Sequence, residues 1–360
     1  MYIYLFIVGA FVVSCVCGFV FIPAILKFCR EKQLYDLPDT RKRHKTAVPR
    51  LGGISFMPSM VISFVLAMLA LCLMEGRGVK VSLASVYMLL GTLLVYATGI
   101  VDDVVGLHAT PKFLIQIMAA SFLPLSGLYI NNLYGFCGIH EVASWVGMPL
   151  TVFVVVFIDN AMNLIDGIDG LASGLCIIAL TGFCVLFVQM NVWVYCMLIG
   201  ALVGVLVAYS YYNVFSKTQK LFMGDSGSLT LGFILAFLFV KYSMLTPLMN
   251  EYRPQGFLMA YSLLIVPVYD VVRVILVRMR LRKPLFDADR HHIHHKLMDM
   301  GMTQHEALVT ILLMAVFFVV FNGVMSRWLS VTYVVLADVV ANVLFHAVVS
   351  MIIRRKEVAA

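Results

Sequence analysis

Charge is scarce in this 360-residue chain: Asp, Glu, Lys and Arg together make up 12%, about half of what an ordinary globular protein carries. With 62% hydrophobic residues and a mean hydropathy of +0.97, there is too little polar material to clothe a water-soluble core. The alternation of a transmembrane β-barrel is also missing, so backbone polar groups must be satisfied within helices. The eight cysteines contain no CxxC spacing, which argues against a zinc site and against a disulfide framework. Neither an internal repeat nor a low-complexity tract is present.

What the chain does have is apolar blocks of about 17 to 25 residues, each long enough as a helix to cross a hydrocarbon core of about 30 Å. They predict eleven spans, near 3–26, 51–74, 81–101, 113–131, 145–162, 171–190, 192–214, 228–247, 256–279, 308–326 and 331–352. The fold class is therefore all-α, a polytopic membrane protein with a single transmembrane domain over 1–360. The first block has no basic residue before it and a cluster after it, so it reads as a retained helix and not as a cleaved signal peptide.

The 26 Lys and Arg residues orient the spans. Arg77, Lys80, Arg253 and Arg327 fall in one set of loops and Lys241 and Arg273 within spans, while all the others fall in the alternate set. The positive-inside rule then places the N-terminus outside and the C-terminus inside. Inner loops 27–50, 102–112, 159–170, 215–227 and 280–307 are expected to build a cytoplasmic catalytic cleft. A net charge of +7 suits the lipid bilayer's anionic surface and small polyanions, and calls for no nucleic acid.

The acidic residues sort to the same side. Asp102 and Asp103 end the third span, Asp159, Asp166 and Asp169 cluster after the fifth, Asp225 precedes the eighth, and Asp287 and Asp289 lie in the last large inner loop. Adjacent carboxylates repel, and the repulsion is relieved by a shared divalent cation or by a retained proton. In NLIDGIDGLASG, Asn163, Asp166 and Asp169 are spaced three apart and point one way on a helical turn. The bland alternative makes these residues ordinary loop formers. FMGDSGS opens a helix with backbone N–H groups suited to phosphate, although the Walker pattern is absent. His291, His292, His294 and His295 crowd one tract; its basic flanks favour a phosphate or sugar phosphate over a transition metal. In the first inner loop, Pro49 and the Gly52-Gly53 pair suggest that something comes close to the chain there.

RKRHKTAVPRLGG, GIVDDVVGLHATPK, NAMNLIDGIDGLASG, LFMGDSGSL and DRHHIHH occur in the order seen in the polyprenyl-phosphate N-acetylhexosaminyl-1-phosphate transferases, which the chain resembles from about residue 36 to about residue 306. NLIDGIDGLA and DRHHIHH are similar to the branch that starts O-antigen, enterobacterial common antigen or teichoic acid lipid carriers. The peptidoglycan phospho-MurNAc-pentapeptide translocase typically shows NLTDGLDGLA and an uninterrupted HHH, and remains the alternative.

The resemblance implies Mg²⁺-dependent transfer, with Mn²⁺ as a substitute, of GlcNAc-1-phosphate or a related sugar phosphate from a UDP-sugar to undecaprenyl phosphate. UMP is released, and the setting is the bacterial cytoplasmic membrane. It assigns Asp102 and Asp103 to the catalytic centre, Asp225 to the metal, and Asn163, Asp166 and Asp169 to the nucleotide-side motif, with Asp166 supporting catalysis. It assigns His292, His294 and His295 to the sugar nucleotide's phosphates, Lys45 and Lys112 to basic positions near the nucleotide and the active site, and Asn213 to a substrate-side asparagine. A homodimer is compatible with the family. Direct in-line attack and an aspartyl-phosphate intermediate both remain open. A CDP-alcohol phosphotransferase is disfavoured because Asp169 is followed by GLASG with no arginine. A transporter is disfavoured because the polar residues gather at one surface and not at the midplane.

Overall fold

The computed structural model describes residues 2–36, 47–76, 82–245, 254–282 and 291–359. Among them thirteen α-helices follow in order: α1 (Ile3–Lys32), α2 (Phe56–Glu75), α3 (Leu83–Val105), α4 (Ala109–Leu125), α5 (Ser144–Ile165), α6 (Leu171–Gln189), α7 (Trp193–Ser210), α8 (Gly224–Leu245), α9 (Pro254–Ser262), α10 (Ile265–Arg280), α11 (Ile293–Asp299), α12 (Gln304–Met325) and α13 (Val331–Ala359). Two small antiparallel hairpins join them, β1 (Tyr35–Asp36) with β2 (Val48–Pro49) and β3 (Asn132–Phe136) with β4 (Ile139–Glu141).

Nine of the described helices are long and apolar enough to cross a membrane, and the bent pair α9–α10 makes up to ten. The chain is a multi-pass membrane protein. Each of the eleven expected spans finds a helix, but two of them need correcting. The span expected at 113–131 is instead the 17-residue α4, which runs from Ala109 to Leu125. Its apolar continuation fails as helix because Pro124 lacks an N–H and Gly127 takes φ +83, after which the chain enters the β3–β4 hairpin. The span expected at 256–279 is bent by 69° between Ser262 and Ile265. Pro267 in the first turn of α10 has no backbone hydrogen to continue the α9 ladder.

α8 is the central post: 94% of its spanning window is buried inside the protein. α3 and α5 flank it, α6 and α9 close further sides, and α1 packs along α7 with α2 beside both. A short 3₁₀ turn at Gly52–Ser55 leads into α2. Here the sequence expectation of a close approach is met by the protein itself. Gly52 N–H donates to Phe222 O (2.9 Å), Gly53 N–H to Met223 O (2.7 Å) and Phe222 N–H to Pro49 O (2.8 Å). A Cβ on Gly53 would run into the backbone of Ser226 and Gly227. Gly53→Ala is therefore expected to cost about 1–3 kcal/mol through overpacking, read as a lowered thermal midpoint of the purified protein in detergent.

Candidate active site

Antiparallel succession of α3, α4, α5 and α8 brings four helix ends together at one end of the bundle. Two adjacent aspartates at the end of α3 lie about 100° apart around the helix, and the structure gives them different work. Asp103 is buried, and its two carboxylate oxygens accept the backbone N–H groups of Asp225 (2.8 Å) and Ser226 (2.9 Å). It thus caps the positive end of α8. The Gly-rich loop was expected to aim its N–H groups at phosphate; for these two groups that reading is corrected, because a carboxylate of the chain already takes them. Asp102 accepts Leu107 N–H (2.6 Å) and the Lys112 ammonium (3.3 Å).

Lys112, at the start of α4, bridges Asp102 to Asp225 through a second ion pair. Asn163, in the last turn of α5, donates through Nδ2 to Asp225 Oδ1 (3.0 Å) and Ser228 Oγ (2.8 Å). One turn deeper, Gln116 Nε2 donates to the buried Asp159 (2.8 Å), tying α4 to α5 beneath the site. Asp225 is thus the meeting point of α3, α4 and α5.

Beside it opens a cleft of about 470 Å³, lined by Asp103, Asp166, Asn213, Lys220, Asp225 and His295 among others. Asp166 sits just past α5, where burial, then the charges of Asp225, Asp169 and Asp103, push its carboxyl up to about 7. Asp169 pairs with Lys220 (2.5 Å) and accepts from Gln304 Nε2 (3.0 Å), joining the α5–α6 loop to the segment before α8 and to α12. Asn213 lies in a single π-helical turn, Tyr211–Phe215, of a kind often found at functional sites. Its Oδ1 accepts Gly170 N–H (2.7 Å) and its Nδ2 donates to Leu221 O (3.0 Å), so it braces two walls of the cleft.

The histidines divide. Of the three assigned, His295 lines the cleft. His294 is buried over Gly167, where any side chain would strike its ring. His292 is turned away, with Nδ1 2.7 Å from Asp270 of α10, which also accepts from Arg273 (2.8 Å) and Ile293 N–H (2.9 Å). Lys45 lies outside the described residues. Arg50, Lys220 and Gln304 enter the cleft without having been singled out. Lys220 was legible only as one more inner-loop cation, and Gln304 carried no signal beyond its polarity.

Among the described residues no three carboxylate, imidazole or thiol groups are grouped to hold a metal ion. A closed transition-metal cage is not what these residues build. Mg²⁺ takes one or two carboxylates and fills its remaining positions with water and substrate phosphates. Asp225 with Asp166 fits that demand, since Asp166 is short of positive charge. Because the Asp166 carboxyl is held near 7, it is protonated below that pH and must lose the proton to serve a cation. Affinity for Mn²⁺ as a probe is therefore expected to fall by about tenfold per pH unit below about pH 7 and to level off above it, checked by paramagnetic resonance titration of free Mn²⁺.

The chain thus carries a carboxylate-lined cleft at one end of a multi-pass helical bundle. Residues 85–243 match the family described as glycosyl transferase family 4. The chain is 30% identical over 328 residues to the probable undecaprenyl-phosphate N-acetylglucosaminyl 1-phosphate transferase of Bacillus subtilis strain 168, covering 90% of this chain and 87% of that protein. It is 31% identical over 308 residues to the decaprenyl-phosphate N-acetylglucosaminephosphotransferase of Mycobacterium tuberculosis strain H37Rv, covering 80% and 74%. With the undecaprenyl-phosphate alpha-N-acetylglucosaminyl 1-phosphate transferase of Escherichia coli K12 it shares 29% identity over 296 residues, covering 80% and 76%. The chain belongs to glycosyl transferase family 4.

Proposed function

We propose that this chain transfers N-acetylglucosamine 1-phosphate from UDP-N-acetylglucosamine to undecaprenyl phosphate, releasing UMP, in a bacterial cytoplasmic membrane. The observation that carries the reading is the meeting of Asp102, Asp103, Lys112, Asn163 and Asp225 from four helix ends, with Asp166 alongside in the cleft. The activities for which the relatives are named support the polyprenyl phosphate and the amino sugar.

Asp225 has two sides, and they suit two substrates. On the cleft side, Lys220, Asn213 and His295 surround a space able to take a nucleotide sugar. On the other side, Asp102 and Lys112 sit among exposed Val101, Val104, Val105, Phe113 and Leu114. Apolar side chains around an ammonium suit a phosphate presented from the bilayer. Lys112 then receives the acceptor phosphate, and Asp102 orients it or takes its proton. Asp103 has both oxygens engaged by the α8 backbone and serves to position Asp225. Asp225 and Asp166 would hold Mg²⁺, or Mn²⁺ in its place, which when bound would supply positive charge to the donor pyrophosphate. We read the transfer as direct in-line displacement, and Asp225 at the junction of the two sides supports it.

The test is UMP release by the purified protein with undecaprenyl phosphate, Mg²⁺ and a panel of UDP-sugars. UDP-N-acetylglucosamine is expected to give UMP only when the lipid is present. Absence of UMP with every sugar would sink the reading, and exchange of labelled UMP into the donor without lipid would replace direct displacement by a covalent route.

A further inference from the structure

The corner formed by α10, α11 and α13 holds basic groups that the cleft does not use. α11 presents His295 to the cleft, whereas the next residue, Lys296, does not line it and donates through Nζ to Ser350 Oγ of α13 (2.9 Å). One turn earlier on α13, His346 is only 7% exposed, and neither ring nitrogen has a hydrogen-bond partner. The Nε of Arg273 is likewise buried and unpartnered. Arg273, Lys296 and Asp270 are the charges His346 faces. Asp270, the one anion among them, is already committed to Arg273, His292 and the Ile293 N–H. Burial, then the charge of Arg273, hold the Lys296 ammonium below its usual range.

Two cations and one fully engaged carboxylate leave the corner with excess positive charge and with donors that find nothing to bond. Donors buried in this way cost free energy unless a ligand meets them. Outward from Ser350, the exposed face of α13 carries Ala347 and Met351 and then, about one turn on, Arg354 and Arg355. This stretch lies towards the C-terminal end of α13. Exposed apolar side chains followed by arginines at a helix end have the chemistry of a lipid headgroup site, with the acyl chains along Ala347 and Met351 and the phosphate among the cations.

We propose that the α10–α11–α13 corner binds the phosphate of an anionic bilayer phospholipid, received by Lys296, Arg354 and Arg355 and by the buried donors of Arg273 and His346. The site stands apart from the transfer reading, because none of Arg273, Lys296, His346, Arg354 and Arg355 lines the cleft. Through Asp270, which holds both Arg273 and His292, an occupied corner also steadies the start of α11.

The experiment uses the full chain in nanodiscs of phosphatidylcholine containing a graded fraction of phosphatidylglycerol, with lipid retained on the protein measured by native mass spectrometry. Wild type is expected to enrich phosphatidylglycerol. Removing each charge is expected to weaken retention about fivefold, so that Lys296→Gln with Arg354→Gln loses about 25-fold. Lys296→Arg keeps the charge and the retention, which separates lost binding from a misfolded protein. Unchanged retention in the double variant overturns the proposal. So does displacement of phosphatidylglycerol by an equal mole fraction of undecaprenyl phosphate, which would give the corner to the acceptor lipid, or by inorganic phosphate, which would make it a plain anion site. Retention is read without donor sugar, whereas the transfer reading fails by absent UMP release, so the two failures are distinguishable.

Discussion

Asp225→Asn is expected to lower the turnover of UMP release by roughly 10²–10³-fold at saturating Mg²⁺, the loss typical when a group stabilising developing charge is removed. The substitution keeps the shape and one oxygen for Asn163, so the scaffold survives. It removes the charge that faces both the Lys112 ammonium and the space beside Asp166. Mn²⁺ affinity should fall in the same variant, since one of two candidate carboxylates is gone. Turnover and Mn²⁺ affinity that both stay at wild-type values would remove Asp225 from the metal site.

Asp103→Asn is expected to reduce activity for a different reason. Its carboxylate accepts two N–H groups at the start of α8, and an asparagine can accept only one while turning an amide N–H₂ towards the other. Losing one bond to a charged group costs about 1.5–3 kcal/mol, and losing the anion at the helix N-terminus adds about 0.3–1 kcal/mol. The discriminating readout is thermal stability in detergent. Asp103→Asn should lower the midpoint, whereas Asp225→Asn should leave it close to wild type. If Asp103 were instead the general base, its variant would lose turnover with the midpoint unchanged.

The contrast shows how far the residues could be read before the structure. The carboxylates were legible as a set because a chain with so little charge places Asp102, Asp103, Asp166 and Asp225 beside helix ends on one side. Their division of labour was not, since it depends on which way two neighbours point from α3 and on where α8 begins relative to them. Gly52 and Gly53 announced a close approach, but the partner, the backbone from Phe222 to Gly227, is more than 160 residues away in sequence and carries no local mark of the pairing. The histidine tract was legible as chemistry, yet only the start of α11 decides that His295 faces the cleft while His292 turns to Asp270. Hydropathy found a helix in every predicted block but counted the 17-residue α4 as a full span and missed the β3–β4 hairpin, because an apolar run ending in turn residues scores alike whether it ends as helix or as strand.

α8 has a consequence for how the protein is made. It is the least apolar of the nine long spans, with a mean hydropathy of 1.5, and almost none of it touches lipid. Left by itself in a bilayer it would be a poor resident, with Asp225, Ser226 and Ser228 near its start. During translation, however, α1 to α7 leave the ribosome first and can already form the walls into which it fits. A rearranged gene that synthesised α8 ahead of those walls would be expected to yield little inserted protein, although the finished contacts would be the same.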